Sequence, residues 1–193
     1  MTAGELMVAQ RVEAREELVF DEIFTAYQER IYNCIYRLVG NSEEAHDLTQ
    51  ETFLRAYAGL PKITGELKVG PWLYRIATNL CMDQLRRRKL IRWEPWDSFV
   101  SMFHPKQIAR DSPERDTLRQ ESRELVHRVL QELPPRYKIC LVLREYNGMS
   151  CEEIGEVIGS SRSAVKSLLF RAREEFRVVY ERLGGTDGGA ELL

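Results

Sequence analysis

Residues 149–176 read MSCEEIGEVIGSSRSAVKSLLFRAREEF. Ser150 followed by Glu153 forms a capping box, which predicts a short helix over Cys151–Ile158. Gly159-Ser160 marks a tight turn, and a longer helix is expected from there to Leu183. At about 100° per residue, Val165, Leu169, Ala172 and Phe176 share one side of that helix, flanked by Leu168 and Val179. Ser163, Lys166, Ser167 and Phe170 share the other. A short helix, a glycine turn and a longer helix with a polar-basic outer face make a helix-turn-helix, whose outer face lies in the major groove of DNA. Phe170 then has a use, as an apolar contact to a thymine methyl or to sugar carbons. Packing against a neighbouring helix of its own domain is the alternative left open.

Upstream of this motif the same helical period predicts Pro113–Leu133 and Pro135–Glu145, with YNGMS turning the chain. A first block reads as helices over Phe20–Val39, Ser42–Leu60 and Pro71 to about Arg88. Gly40-Asn41 stops the first, Ser42 is the expected N-cap of the second, and Pro71 opens the third. Residues 61–70 form a loop. No strand-like alternation of useful length occurs, so the expected fold is all-α, with two small helical domains. Between them, residues 91–112 have no sustained period yet carry Trp93, Trp96, Phe99 and Phe103. Most linkers lack large aromatics. This one is expected to dock, either on its own domains or on a partner.

Composition narrows the function class. The 193 residues are 44% hydrophobic and carry a net charge of −2, which by itself argues against a general polyanion binder. The distribution is uneven: basic residues cluster at Arg86–Arg92 and Arg162–Arg182, acids in NSEEAHDLTQE and CEEIGE. That pattern suggests two nucleic-acid contacts and separate protein-binding surfaces. No apolar run approaches the ~20 residues that span a bilayer, and a cytoplasmic location without membrane insertion is expected. Cys34, Cys81, Cys140 and Cys151 lack metal or redox spacing and read as free thiols.

Two further helical faces matter. On the Pro71–Arg88 helix Trp72, Leu73, Ile76, Ala77 and Leu80 make the expected buried stripe. Arg75, Asn79, Met82 and Arg86 face outward, either to follow a phosphate backbone or simply to be solvated. On the Ser42–Leu60 helix Ala45, Leu48, Thr52, Ala56 and Leu60 point inward. Asp47, Gln50, Glu51 and Leu54 line the other side, an acid-flanked leucine suited to a basic protein partner. Glu43-x-x-His46 and Glu124-x-x-His127 have the spacing of di-iron carboxylate bundles, but Glu43, Glu124 and His127 point away from the core. No phosphate loop or nucleophile motif is present, so neither enzyme activity nor a cofactor is expected.

Three segments carry a family resemblance: DLTQETFLRAY (Asp47–Tyr57), PWLYRIATNLCMDQLRRR (Pro71–Arg88) and LPPRYKICLVLREYNGMSCEEIGEVIGSSRSAVKSLLFRAR (Leu133–Arg173). From about Phe20 to Arg182 the chain resembles bacterial RNA polymerase sigma factors of the extracytoplasmic-function group, group 4 of the sigma-70 family. The resemblance implies sigma region 2 over 19–90, a linker over 91–115 and region 4 over 116–183. Residues 1–18 are left as an N-terminal extension, and the Gly-rich 184–193 read as a flexible tail. It places Asp47, Gln50, Glu51 and Leu54 on the helix that docks on the polymerase β′ subunit. Lys62, Lys68, Arg75, Asn79, Arg86 and Arg87 fall on the loop and helix that engage the −10 element. There a base is flipped from the melted strand. Arg162, Ser163, Lys166, Ser167, Phe170, Arg171 and Arg173 fall on the helix that reads the −35 element.

The implied partners are core RNA polymerase through β′ and β, promoter DNA, and an anti-sigma factor. Trp93, Trp96, Phe99 and Phe103 would thread the polymerase, be covered by the anti-sigma factor, or pack between the domains. Two departures stand out. Leu168 and Phe170 occupy positions where the family often has Arg and His, so a family −35 consensus does not transfer. A free-standing helix-turn-helix regulator is the alternative reading.

Overall fold

The computed structural model describes residues 3–60, 67–91 and 113–184, with side chains over 19–60, 67–88 and 122–184. Lys62, Trp93, Trp96, Phe99 and Phe103 lie outside the described residues.

The described chain consists of helices. The first, α1, spans Ala3–Val39, beginning well before Phe20. Residues 3–19 are rich in Ala, Glu, Leu, Met, Gln and Arg, strong helix formers even without a sustained apolar stripe. Gly40, at φ 76°, ends it. Helix α2 spans Ser42–Gly59, and its N-cap is Asn41, not Ser42: Asn41 is extended and its side-chain oxygen accepts the Glu44 N–H. Helix α3, Val69–Ile91, starts two residues before Pro71. Proline is still tolerated there, because N–H groups of a first turn have no intrahelical acceptor.

These three helices form the first bundle. Ile31, Ile35 and Leu38 of α1, Ala45, Phe53 and Ala56 of α2, and Leu73 and Ala77 of α3 are buried. Phe53 was absent from the expected inward set. It stands edge-on to Phe24, with ring centroids 4.8 Å apart.

The second bundle contains α4 (Pro113–Glu132), α5 (Pro135–Leu141), α6 (Cys151–Ile158) and α7 (Arg162–Arg182). Helix α5 runs into a π-helical turn, Val142–Tyr146, where a continued α-helix to Glu145 is expected from the sequence. Val129 and Leu130 of α4, Leu141 of α5, Leu143 of the π turn, Ile154 of α6 and Phe176 of α7 close this core.

The bundles pack on each other, α3 lying against α6 and α1 against α4 and α5. Consequently α3 is buried on two sides. Leu73 and Ala77 belong to the expected stripe, while Tyr74, Thr78 and Cys81 are buried as well. The Tyr74 hydroxyl accepts a 2.7 Å bond from Asn147 Nδ2 of the second bundle. Burial raises the Tyr74 hydroxyl pKa to about 12, against a smaller lowering by Arg30.

The end of α1 shows how polar this junction is. A helix leaves its last four carbonyls without intrahelical donors. Here Tyr36 O accepts from Gly40 N–H at 2.8 Å. Arg37 O accepts from Gln131 Nε2 at 2.9 Å and Leu38 O from Lys138 Nζ at 3.1 Å. Val39 O accepts from Arg88 Nη1 at 2.8 Å. Two of the four donors belong to the second bundle. Among the described residues no helix is long and apolar enough to cross a membrane.

Candidate nucleic-acid interface

The helix-turn-helix is assembled by local chemistry. Ser150 Oγ accepts the Glu153 N–H at 3.2 Å, and Glu153 Oε2 accepts the Ser150 N–H at 2.8 Å. Donation to the carboxylate from the Ser150 backbone N–H, then from the Ser150 side chain, holds the Glu153 carboxyl below its ordinary value, and Lys68 adds a smaller push the same way. Gly159 ends α6 at φ 65°, and Ser161 Oγ caps α7 by accepting Ala164 N–H at 3.2 Å. The turn is tight: a Cβ on Gly155 would lie 2.5 Å from Ser160 O.

The turn aims α7. Val165, Leu169, Ala172 and Phe176 are buried as expected, with Val179 continuing the stripe. Arg162, Ser163, Lys166, Ser167, Phe170, Arg171 and Arg173 are all exposed. Phe170 is 68% exposed, so it does not pack within its own domain. Some of the polar groups are held internally. Arg162 pairs with Glu152 at 3.0 Å, Arg173 with Glu145 at 2.6 Å, and Ser167 Oγ donates to Ser163 O at 3.2 Å. Leu168 is half-buried and lines a groove with Met82 and Leu85 of α3.

On α3, Arg75, Asn79, Arg86 and Arg87 are exposed together, with Arg86 paired to Asp83 at 3.3 Å. Met82, placed on the same outward face by helical period, is half-buried instead, because α5 and α7 lie over it. Lys68 stands apart from the other −10 candidates. Its ammonium bonds Glu156 Oε1 of α6 at 2.6 Å, and that bond, then the Glu156 charge, raises its pKa.

On α2, Asp47, Gln50 and Leu54 are exposed, Leu54 at 65%. Glu51 is half-buried and paired with Arg55 at 2.7 Å. Sequence reasoning missed what adjoins them. Phe20 meets Tyr57 at 5.0 Å between ring centroids, and Val19, Phe24 and Tyr57 are exposed. The available signal was aromatic spacing of four, Phe20 with Phe24 and Phe53 with Tyr57.

The histidines with di-iron spacing serve packing. His46 lies 4.6 Å from the Tyr32 ring and His127 5.2 Å from the Tyr36 ring. Burial lowers the His127 pKa, helped by Lys138 and Arg37. Among the described residues no three His, Cys, Asp or Glu side chains come together as a metal site.

Comparison with known proteins matches this geometry. The model of Sigma-70 region 2 matches residues 23–91, and that of Sigma-70, region 4 matches residues 123–176. The chain is 36% identical over 174 residues to the RNA polymerase sigma-H factor of Pseudomonas aeruginosa, covering 86% of this chain and 89% of that protein. It is 32% identical over 182 residues to the ECF RNA polymerase sigma factor SigW of Bacillus subtilis, covering 90% and 96%. A solved structure of the sigma factor RpoE in complex with the anti-sigma factor NepR, from Bartonella quintana, has the same fold. Its TM-score is 0.64 at 19% identity, over 84% of this chain and 96% of that one. With both regions present in order and similarity running through most of its length, the chain belongs to the extracytoplasmic-function group of sigma-70 RNA polymerase sigma factors, which direct the polymerase to promoters.

Proposed function

We propose that three helices divide the work of this promoter-specificity subunit. Asp47, Gln50, Glu51 and Leu54 of α2 dock on core polymerase. Lys62, Lys68, Arg75, Asn79, Arg86 and Arg87 engage and help open the −10 element. Arg162, Ser163, Lys166, Ser167, Phe170, Arg171 and Arg173 read the −35 element. The observation that carries this reading is the joint exposure of the α3 and α7 outer faces on one chain. Region 2 is assigned to 19–90 and region 4 to 116–183, with a linker over 91–115, an extension over 1–18 and a tail over 184–193. The two family matches fall almost wholly inside those spans.

In the packed arrangement Lys68–Glu156 and Tyr74–Asn147 tie α3 to the second bundle. The −10 and −35 positions are about 25 base pairs apart, roughly 85 Å at ~3.4 Å per base pair. Engaging both elements therefore requires the bundles to separate. A separate anti-sigma factor is the proposed regulator, by likeness to RpoE, which is seen in complex with one.

The test is multi-round transcription by core polymerase over a pooled promoter library, with and without the chain. New start sites sharing two sequence elements are expected only in its presence. Tight duplex binding by the chain alone, with no added transcripts, would instead identify a free-standing regulator.

A further inference from the structure

An apolar groove of about 450 Å³ lies between the bundles. Met82 and Leu85 of α3, Pro135 and Tyr137 of α5, and Leu168 of α7 form its walls. Arg86 and Arg136 also line it and are both exposed. Its size lies within the ~300–1,000 Å³ range of sites that enclose a small-molecule-sized body. Apolar walls flanked by two arginines suit an occupant that offers apolar groups with acidic residues beside them.

The chain carries such a segment close by. Residues 93–99, WEPWDSF, place Glu94 and Asp97 among Trp93, Trp96 and Phe99. Leu85 is six residues from Ile91, the last residue of α3, a distance of about 9 Å along a helix at ~1.5 Å per residue. The five residues from Ile91 to Trp96 span up to roughly 17 Å extended, enough to turn back to the groove. Each indole can bury on the order of 150–250 Å², and the two acids match the two arginines.

We propose that residues 93–99 dock in this groove, with indole against Tyr137 and Leu168 and the carboxylates toward Arg86 and Arg136. Leu168 then has a role that an arginine at this position would not fill. Because Arg86 is also a proposed −10 contact, the docked acids compete there with DNA phosphates.

The test leaves Trp96 as the sole indole, through Trp72→Phe and Trp93→Phe in the full chain. Far-UV circular dichroism checks the fold. Trp96 emission is expected to be blue-shifted relative to the denatured chain, with acrylamide quenching reduced several-fold. Adding Leu168→Glu should return both toward their denatured values. Solvent-like emission in the folded parent overturns the proposal. So does shielding that survives both Leu168→Glu and Arg136→Glu, or shielding lost on dilution, which would mean a second copy. A second measurement keeps all native tryptophans as its reference. Hydrogen exchange at 82–85 and 135–137 should accelerate in Trp93→Ser/Trp96→Ser/Phe99→Ser, and unchanged protection there also overturns it.

Discussion

Lys138 Nζ donates a 3.1 Å hydrogen bond to the Leu38 carbonyl oxygen, 100 residues earlier in the chain. The ammonium also donates to Gln131 Oε1 at 2.9 Å, while Gln131 Nε2 bonds Arg37 O. A lysine only 2% exposed thus caps a helix of the other bundle. Burial, then Arg88, lowers its pKa from 10.5 to about 8, against a smaller opposing effect of Cys81.

That shift gives the junction a pH dependence. Separation returns Lys138 to water, where it binds a proton more tightly, so the separated or unfolded state carries more protons between pH 8 and 10.5. The packed state accordingly gains stability as pH rises through this window. Below pH 8 the lysine is charged in both states and adds no slope. At about 1.36 kcal/mol per tenfold change in proton affinity, the full effect is roughly 3 kcal/mol. The buried Cys34, Cys81 and Tyr74 have raised pKa values and slope the other way in alkali. The measurement is therefore a difference: urea stability of wild type minus Lys138→Met should rise from pH 8 to 10.5. A flat difference would refute the linkage.

Asp47→Arg should weaken polymerase binding without unfolding the protein. Asp47 is exposed, so its replacement removes no core contact. Reversing charge on the proposed docking face is expected to cost at least about 1.4 kcal/mol, roughly tenfold in affinity. Titration of labelled core polymerase at fixed salt, with the melting curve as control, measures this. Wild-type affinity would move the docking face elsewhere.

Asn79→Ala should separate promoter opening from polymerase binding. Asn79 is exposed on α3, between Arg75 and Arg86 along the helix. Losing one polar contact to a flipped base costs about 1 kcal/mol, roughly fivefold in open complexes. Permanganate footprinting of melted thymines reports opening, and gel filtration reports holoenzyme formation. Equal losses in both would reject the assignment.

The buried stripe of α7 is legible because Val165, Leu169, Ala172 and Phe176 recur at helical spacing and face a neighbour in their own bundle. The capping box and Gly159 are equally local, and the structure reproduces both. Packing between distant segments is less legible. Nothing near Lys138 in sequence indicates that its ammonium would meet Leu38 O. The second buried side of α3, with Tyr74, Thr78 and Cys81, exists because another bundle covers it, and Met82 is half-buried for the same reason. The α7 outer face was readable because its exposure follows from helical period within one helix, whereas the aromatic surface beside Leu54 needed α1 and α2 to be brought together.

Phe170→Ala and Lys166→Ala should weaken −35 engagement in different ways. Phe170 is 68% exposed, so its truncation should leave stability within ~0.5 kcal/mol. It should cost about 1 kcal/mol on the cognate −35 sequence and nothing on a scrambled one, with an unchanged salt slope. Lys166→Ala should weaken both sequences and lower the salt slope by about 1. Holoenzyme binding to the two duplexes across a salt series separates the cases. An unchanged cognate preference in Phe170→Ala would remove that residue from readout.

Gly155→Ala and Gly159→Ala should differ in cost, although both lie in the same helix-turn-helix. The new methyl at 155 would sit 2.5 Å from Ser160 O. That carbonyl belongs to the turn itself, and Ser160 N–H already donates to Gly155 O at 2.9 Å, so the backbone has little freedom to withdraw. Relieving the clash must lift α6 from the start of α7, an overpacking cost of about 1–3 kcal/mol. At 159 no atom lies within 4 Å of a new Cβ, and the penalty is only the left-handed φ of 65°, about 1 kcal/mol. Urea denaturation should rank Gly155→Ala below Gly159→Ala. The Gly155 variant should also lose −35 binding while still folded, because α7 is displaced relative to the rest of its bundle. Equal stability and equal binding in the two variants would show that the turn tolerates the methyl and does not set the pose of α7.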